Sequence, residues 1–172
     1  MRPFSRLLDG IEWVQRWLTV VAYVVMIAAV SFQVFNRFYL QIPVLWTAEL
    51  AVVAFVWLAF LTASTAVRRN GHFRMSALID LAGTGGIRLA FELFAIAVVL
   101  LISWLILTEG WTFAQRGLRE TSPGLRIPMT WVYVSLPITA PTAILFAIER
   151  LLIEIRGGLG SVRMPEIPED LG

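Results

Sequence analysis

Hydrophobic residues in this chain gather into four long uncharged runs divided by short charged connections. Ile127 to Ile148 is the clearest, with twenty-two uncharged residues between Arg126 and Glu149. Trp17 to Asn36 lies between Arg16 and Arg37, and Leu50 to Val67 and Leu93 to Thr108 complete the set. A helix rises about 1.5 Å per residue, so roughly twenty apolar residues cross a hydrocarbon layer about 30 Å thick. The pattern predicts an all-α membrane protein with four transmembrane helices, at about residues 17–36, 48–67, 89–108 and 127–148. The run from Leu93 is short, but Ile87, Leu89, Ala90 and Phe91 extend it backwards. Arg88 and Glu92 interrupt that extension on one helical face, where their side chains reach the headgroups.

Two segments predict amphipathic helices lying on the membrane surface. Before the first span, Phe4, Leu7, Leu8, Ile11, Trp13, Val14 and Trp17 alternate with Arg6, Asp9, Glu12 and Arg16 near a helical period. In the second connection, Phe73, Met75, Leu78, Ile79 and Leu81 flank Arg74 and Asp80, until Gly83, Gly85 and Gly86 break the helix. Residues 1–156 are expected to form a single membrane domain, with 157–172 a disordered cytoplasmic tail containing Pro165 and Pro168. The end of the first span, at Gln33, Asn36 and Arg37, lacks a small-residue cleavage pattern, so the span is expected to stay as a signal anchor.

Composition agrees: 58% of residues are hydrophobic and the mean hydropathy is +0.77. Arginine is the sole strong cation and its distribution is lopsided. Ten arginines fall in the N-terminal segment, the second connection and the segment after the last span, and four in the first and third connections. The positive-inside rule then predicts that both termini are cytoplasmic. No basic cluster is interleaved with stacking aromatics, so the bias does not point to nucleic acid.

Candidate chemistry is sparse. Cysteine is absent and His72 is the one histidine, which rules out thiol catalysis and a bis-histidine haem site within one subunit. No cofactor is expected. No nucleophile elbow or phosphate-binding glycine loop is present. Glu49, Asp80, Glu92, Glu109, Glu120 and Glu149 are placed at or near span ends, whereas ion relays usually hold an acid in mid-membrane. The polar groups expected at depth are Thr62, Ser64, Ser103, Ser135 and Thr139, suited to back-bonding or to joining helices. Such a chain is not an enzyme but a helper or scaffold.

The most specific stretch lies between the first and third spans. Asn36-Arg37-Phe38-Tyr39 leads to Trp46-Thr47-Ala48-Glu49, then to Trp57-Leu58-Ala59-Phe60 and Arg69-Asn70-Gly71-His72. Thr47 is suited to cap a helix whose first turn holds Glu49. Trp46, Val53, Trp57, Phe60 and Ser64 share one face, which is also the pattern of ordinary helix packing. The fourth run opens with Pro128, Trp131 and Tyr133 and continues to Pro137 and Pro141, each expected to kink its helix.

These motifs, in this order and spacing, resemble the small membrane subunit of tripartite ATP-independent periplasmic (TRAP) transporters, over about residues 4 to 156. The resemblance rests on Arg37, on Trp46 with Glu49, on Trp57 with Phe60, and on Arg69, Gly71 and His72. It implies a multi-pass protein of the bacterial inner membrane that scaffolds a large sodium-coupled permease subunit. A periplasmic substrate-binding protein would deliver a small organic acid to the pair. On that basis Trp46, Glu49, Trp57 and Phe60 are expected to pack on the partner subunit, with Arg37, Arg126, a partner group or solvent open to Glu49. Arg68, Arg69 and Arg74 are expected to set topology and meet membrane lipid headgroups, and Arg116, Arg119 and Arg126 to dock the binding protein. Two other classes stay open: a homo-oligomeric small channel or transporter, and a membrane enzyme or electron carrier.

Overall fold

The computed structural model describes residues 2–42, 44–69 and 86–157. The expected second surface helix, with His72 and Arg74, lies outside the described residues, as does the tail from 158. Helix α1 spans Arg2–Phe35, α2 Trp46–Arg69, α3 Gly86–Arg116, the short α4 Thr130–Tyr133, and α5 Ser135–Gly157. A π-helical turn at Asn36–Leu40 ends α1, and a 3₁₀ turn at Gly117–Arg119 ends α3. Among the described residues there is no strand, only an isolated bridge between Thr121 and Pro128. Four helical stretches are long and apolar enough to cross a membrane, as the hydrophobic pattern predicts.

The amphipathic N-terminal segment and the first span form one uninterrupted helix of 34 residues. Its length is about 50 Å, well beyond a hydrocarbon layer, so its first turns project past the span. Widening to π geometry at Asn36 lets the amide of Gln41 reach the Asn36 carbonyl at 2.7 Å. Gln41 then turns the chain with a left-handed φ of 53°. The buried Asn36 amide donates to the Ile42 carbonyl at 2.5 Å and fixes the reversal.

The spans stand in a row, α1 beside α2, α2 beside α5, and α5 beside α3. Neighbours α1 and α2 are antiparallel, as are α3 and α5. The central pair, α2 and α5, run parallel, because Ser64 meets Thr142 and Arg68 meets Glu149 as both chains advance. Burial follows this order. Only 6% of the most apolar window of the first span is buried, against 44% in the last.

Helices α3 and α5 approach closely because α3 presents small residues. A Cβ on Gly110 would lie 2.8 Å from the Leu136 Cβ, and one on Gly117 only 2.6 Å from the Thr130 amide nitrogen. Between them Ala114 is buried, and its carbonyl accepts the Thr130 hydroxyl at 2.9 Å. Without a hydrophobic force between helices in lipid, such close backbone approach is what holds a seam together.

Prolines behave differently at their two positions. Pro137 has no amide to offer the Tyr133 carbonyl, and the last span is interrupted at Val134, between α4 and α5. Pro141 lies within α5. The hydroxyls of Ser135 and Thr139 back-bond to the carbonyls of Val132 and Ser135, each at 2.7 Å, which satisfies groups that lipid would leave dry.

Replacing Gly117 by valine should lower the stability of the detergent-purified chain by about 1–3 kcal/mol. The obstructing atom is backbone and cannot swing aside. Gly110→Ala, which adds a single methyl against the Leu136 Cβ, should cost less than the larger valine. Thermal melting of the two variants beside the native chain checks the order.

Candidate functional site

Helix α2 is fastened at both ends, and most of the residues singled out from sequence lie along it. At its first turn, the Glu49 carboxylate accepts amides from the third connection: Gly124 at 2.8 Å and Leu125 at 2.8 Å, together with the Ser122 hydroxyl. Successive backbone N–H groups aimed at one anion make a nest. The tight hairpin that forms it is closed by Ser122 N–H to Ile127 at 2.9 Å and Met129 N–H to Glu120 at 2.9 Å. Arg126 turns it with a φ of 54°. Gly124 suits this approach, since a Cβ would lie 3.0 Å from the Leu45 backbone carbonyl carbon and 2.9 Å from the Glu49 carboxyl carbon.

Of the partners left open for Glu49, the structure selects none of the arginines: its bonds go to backbone amides and a hydroxyl within the chain. The cap expected of Thr47 is also different. Helix α2 already begins at Trp46, and the buried Thr47 hydroxyl donates to the Val44 carbonyl at 3.4 Å.

At the other end of α2, Arg68 occupies the centre of an ion cluster. Its guanidinium meets Asp9 at 2.6 Å, Glu12 at 2.7 Å and Glu149 at 2.8 Å, and stands 5.4 Å above the Phe146 ring. Its side chain is 14% exposed, as is that of Glu12. Five donors in a planar fork let one arginine serve carboxylates from α1 and α5 together. Arg68 is thus committed within the chain. Arg69, 54% exposed, pairs with Glu12 at 2.6 Å and keeps much of its surface open.

One turn deeper lies a buried polar layer. The Gln15 amide donates to the Thr142 hydroxyl at 2.7 Å, and Ser64 and Thr142 share a bond of 2.7 Å, so α1, α2 and α5 meet here. Sequence analysis placed Ser64 among the helix-joining hydroxyls but missed Gln15 and Thr142. A glutamine one turn before Thr19 on the greasy face of α1 was the available signal.

Trp57 turns its indole N–H to the Trp131 carbonyl at 2.9 Å, which uses its polar edge inside the chain. Trp46 packs beside Phe32 with ring centroids 5.9 Å apart and stays 43% exposed. Phe60 is half-buried. Arg116, Arg119 and Arg126 lie at the Glu49 end. Arg116 and Arg119 line one cleft with Thr112, Gln115 and Glu120, while Arg126 sits apart in the hairpin. None of the three forms an ion pair among the described residues. No group of three metal-ligating side chains occurs among the described residues either. The two ends are therefore unlike: Arg68 and Arg69 are held by carboxylates of the chain, whereas Arg116, Arg119 and Arg126 have no such partner among the described residues.

Replacing Arg68 by methionine should lower thermal stability by about 1–3 kcal/mol, because partly buried acids lose their shared cation. Arg69→Met should cost under about 1 kcal/mol, as its pair is exposed. Glu49→Ala, which removes the acceptor of the Gly124 and Leu125 amides, should also lower the melting temperature. Melting curves of the three variants check this ranking.

Residues 26–157 match the sequence profile of the family described as tripartite ATP-independent periplasmic transporters, DctQ component. The sialic acid TRAP transporter small permease protein SiaQ of Vibrio cholerae is 25% identical over 138 residues, covering 80% of this chain and 78% of that protein. The C4-dicarboxylate TRAP transporter small permease protein DctQ of Rhodobacter capsulatus is 31% identical over 99 residues, covering 56% of this chain and 43% of that protein. The second match spans less than half of its relative's length. Four membrane-length helices and a family match across both fastened ends of α2 agree: the chain belongs to the DctQ family of TRAP transporter small permease subunits.

Proposed function

We propose that this chain is a static scaffold in the bacterial inner membrane, holding a large sodium-coupled permease subunit at fixed depth and tilt. A periplasmic binding protein delivers a small organic acid to that pair. The observation that carries the proposal is the contrast between fastened ends and bare flanks. Arg68 and Glu49 lock α2 to its neighbours at both ends, while the first span leaves nearly all of its apolar window uncovered within the chain. A rigid panel with unoccupied apolar flanks suits a subunit that completes its fold against a partner and lipid.

The substrate class is supported by the relatives, which are named for sialic acid and C4-dicarboxylates; both carry carboxylates. The arginine bias places both termini in the cytoplasm, with the Glu49 hairpin periplasmic. There the unpaired Arg116, Arg119 and Arg126 offer positive charge to an acidic face of the binding protein. Trp46, with an exposed ring, and Phe60 are proposed as packing residues towards the large subunit. Arg69 is proposed to meet anionic headgroups.

Co-purification of the tagged chain from native membranes in mild detergent tests the scaffold role. A large multi-span protein in about equal amount is expected, and a homo-oligomer with no such partner would overturn it. Because the chain has no cysteine, single introduced cysteines report orientation cleanly. Cysteine at Arg119 should react with an impermeant maleimide added to intact spheroplasts, and cysteine at Arg163 should react only after lysis. The reverse pattern would overturn the topology.

A further inference from the structure

Helix α3 runs on past Thr108 to Arg116, so Glu109 lies inside the span and not at its end. It stands seven residues before Arg116, about 10 Å deeper along the helix axis. Next to it, Gly110 packs against Leu136 of α5, which fixes this depth on both helices. Glu109 is exposed and makes no hydrogen bond or ion pair among the described residues. It borders an open groove of about 290 Å³ lined otherwise by Ile102, Leu105, Ile106, Gly110, Phe113 and Leu136.

An unpaired carboxylate at such depth is costly, and in membrane proteins it is nearly always matched by a partner. Nothing in the described chain supplies one. Arg116 is two turns away, and a glutamate stem is shorter than the lysine and arginine stems that reach back to the interface. The groove falls just below the range of small-molecule sites, about 300–1,000 Å³, and offers one polar group, too few to orient a ligand. A second copy of this chain is a poorer match. Among the described residues its unpaired arginines at this end are Arg37 in the turn after α1, Arg116 and Arg119 at the end of α3, and Arg126 in the hairpin, none level with Glu109.

We infer that the α3–α5 groove is a docking site for a transmembrane helix of the large permease subunit that presents an arginine or lysine opposite Glu109. This rests on the proposed scaffold role. Apolar side chains of the incoming helix fill the groove, and the cation neutralises Glu109 in a low-dielectric setting where the pairing is strong. The opposite face of α3, marked by the exposed Trp104 and Trp111, is then left to lipid.

The test uses the intact complex in native membranes. A photo-crosslinking phenylalanine analogue replaces Ile102 in the groove or Trp111 on the far face, and in parallel Glu109→Gln and Glu109→Arg are co-purified with the large subunit. Crosslinking to the large subunit from position 102 and not from 111 is expected. Glu109→Arg should reduce the recovered partner roughly tenfold or more, and Glu109→Gln less. Melting of either variant chain alone should match the native chain, since Glu109 makes no hydrogen bond or ion pair among the described residues. Full partner recovery with Glu109→Arg, or crosslinks from 102 only to lipid or to a second copy, would overturn the inference. Should the native chain itself recover no large subunit, the scaffold role fails with it. Recovery by the native chain and the variants alike removes the groove alone.

Discussion

Arg68 reaches Asp9 and Glu12 on α1 and Glu149 on α5 from its own place near the end of α2. Much of the helix order depends on this one side chain. Burying Glu12 or Glu149 singly would be unfavourable, and a shared guanidinium makes their convergence tolerable, while Asp9 joins from the exposed side. Once three helices meet there, Gln15, Ser64 and Thr142 are brought within hydrogen-bonding distance one turn deeper. The convergence sets α1 and α5 beside α2, while α3 takes its place through a separate seam on α5.

The opposite end uses different chemistry for the same purpose. Glu49 takes backbone amides instead of a cation, and so binds a hairpin whose own side chains need not be charged. Arg116, Arg119 and Arg126 at that end form no ion pair among the described residues. Glu49 is thus satisfied by amides and a hydroxyl, whereas Glu12 and Glu149 are satisfied by the Arg68 guanidinium.

Between the ends, the seam of α3 on α5 depends on shape. Gly110, Ala114 and Gly117 allow backbone approach that larger residues would block, and the Pro137 interruption at Val134 occurs on the helix that faces them. The outward face of that seam is where Glu109 stands, unmatched within the described chain. Packing inside the row and incompleteness outside it thus arise at the same helix pair.

Sequence alone determined the class, the number of spans and the family, because hydrocarbon imposes a length and a polarity on every crossing segment. The Trp46–Glu49 and Trp57–Phe60 motifs were legible for the same reason, being rare polar and aromatic marks on an apolar ground. Tertiary structure decided what those marks do. Arg68 looked like half of a headgroup-binding pair, and its acids lie 59, 56 and 81 positions away, a separation no local pattern encodes. Glu49 had several arginines within plausible reach, and the fold gave it amides whose direction depends on a hairpin turn. Glu109 looked like a span-end residue because the uncharged run stops at Thr108, yet backbone bonding carries the helix on to Arg116. A run of apolar residues measures where charge begins; the folded helix continues past that charge and packs beside it, Gly110 against Leu136.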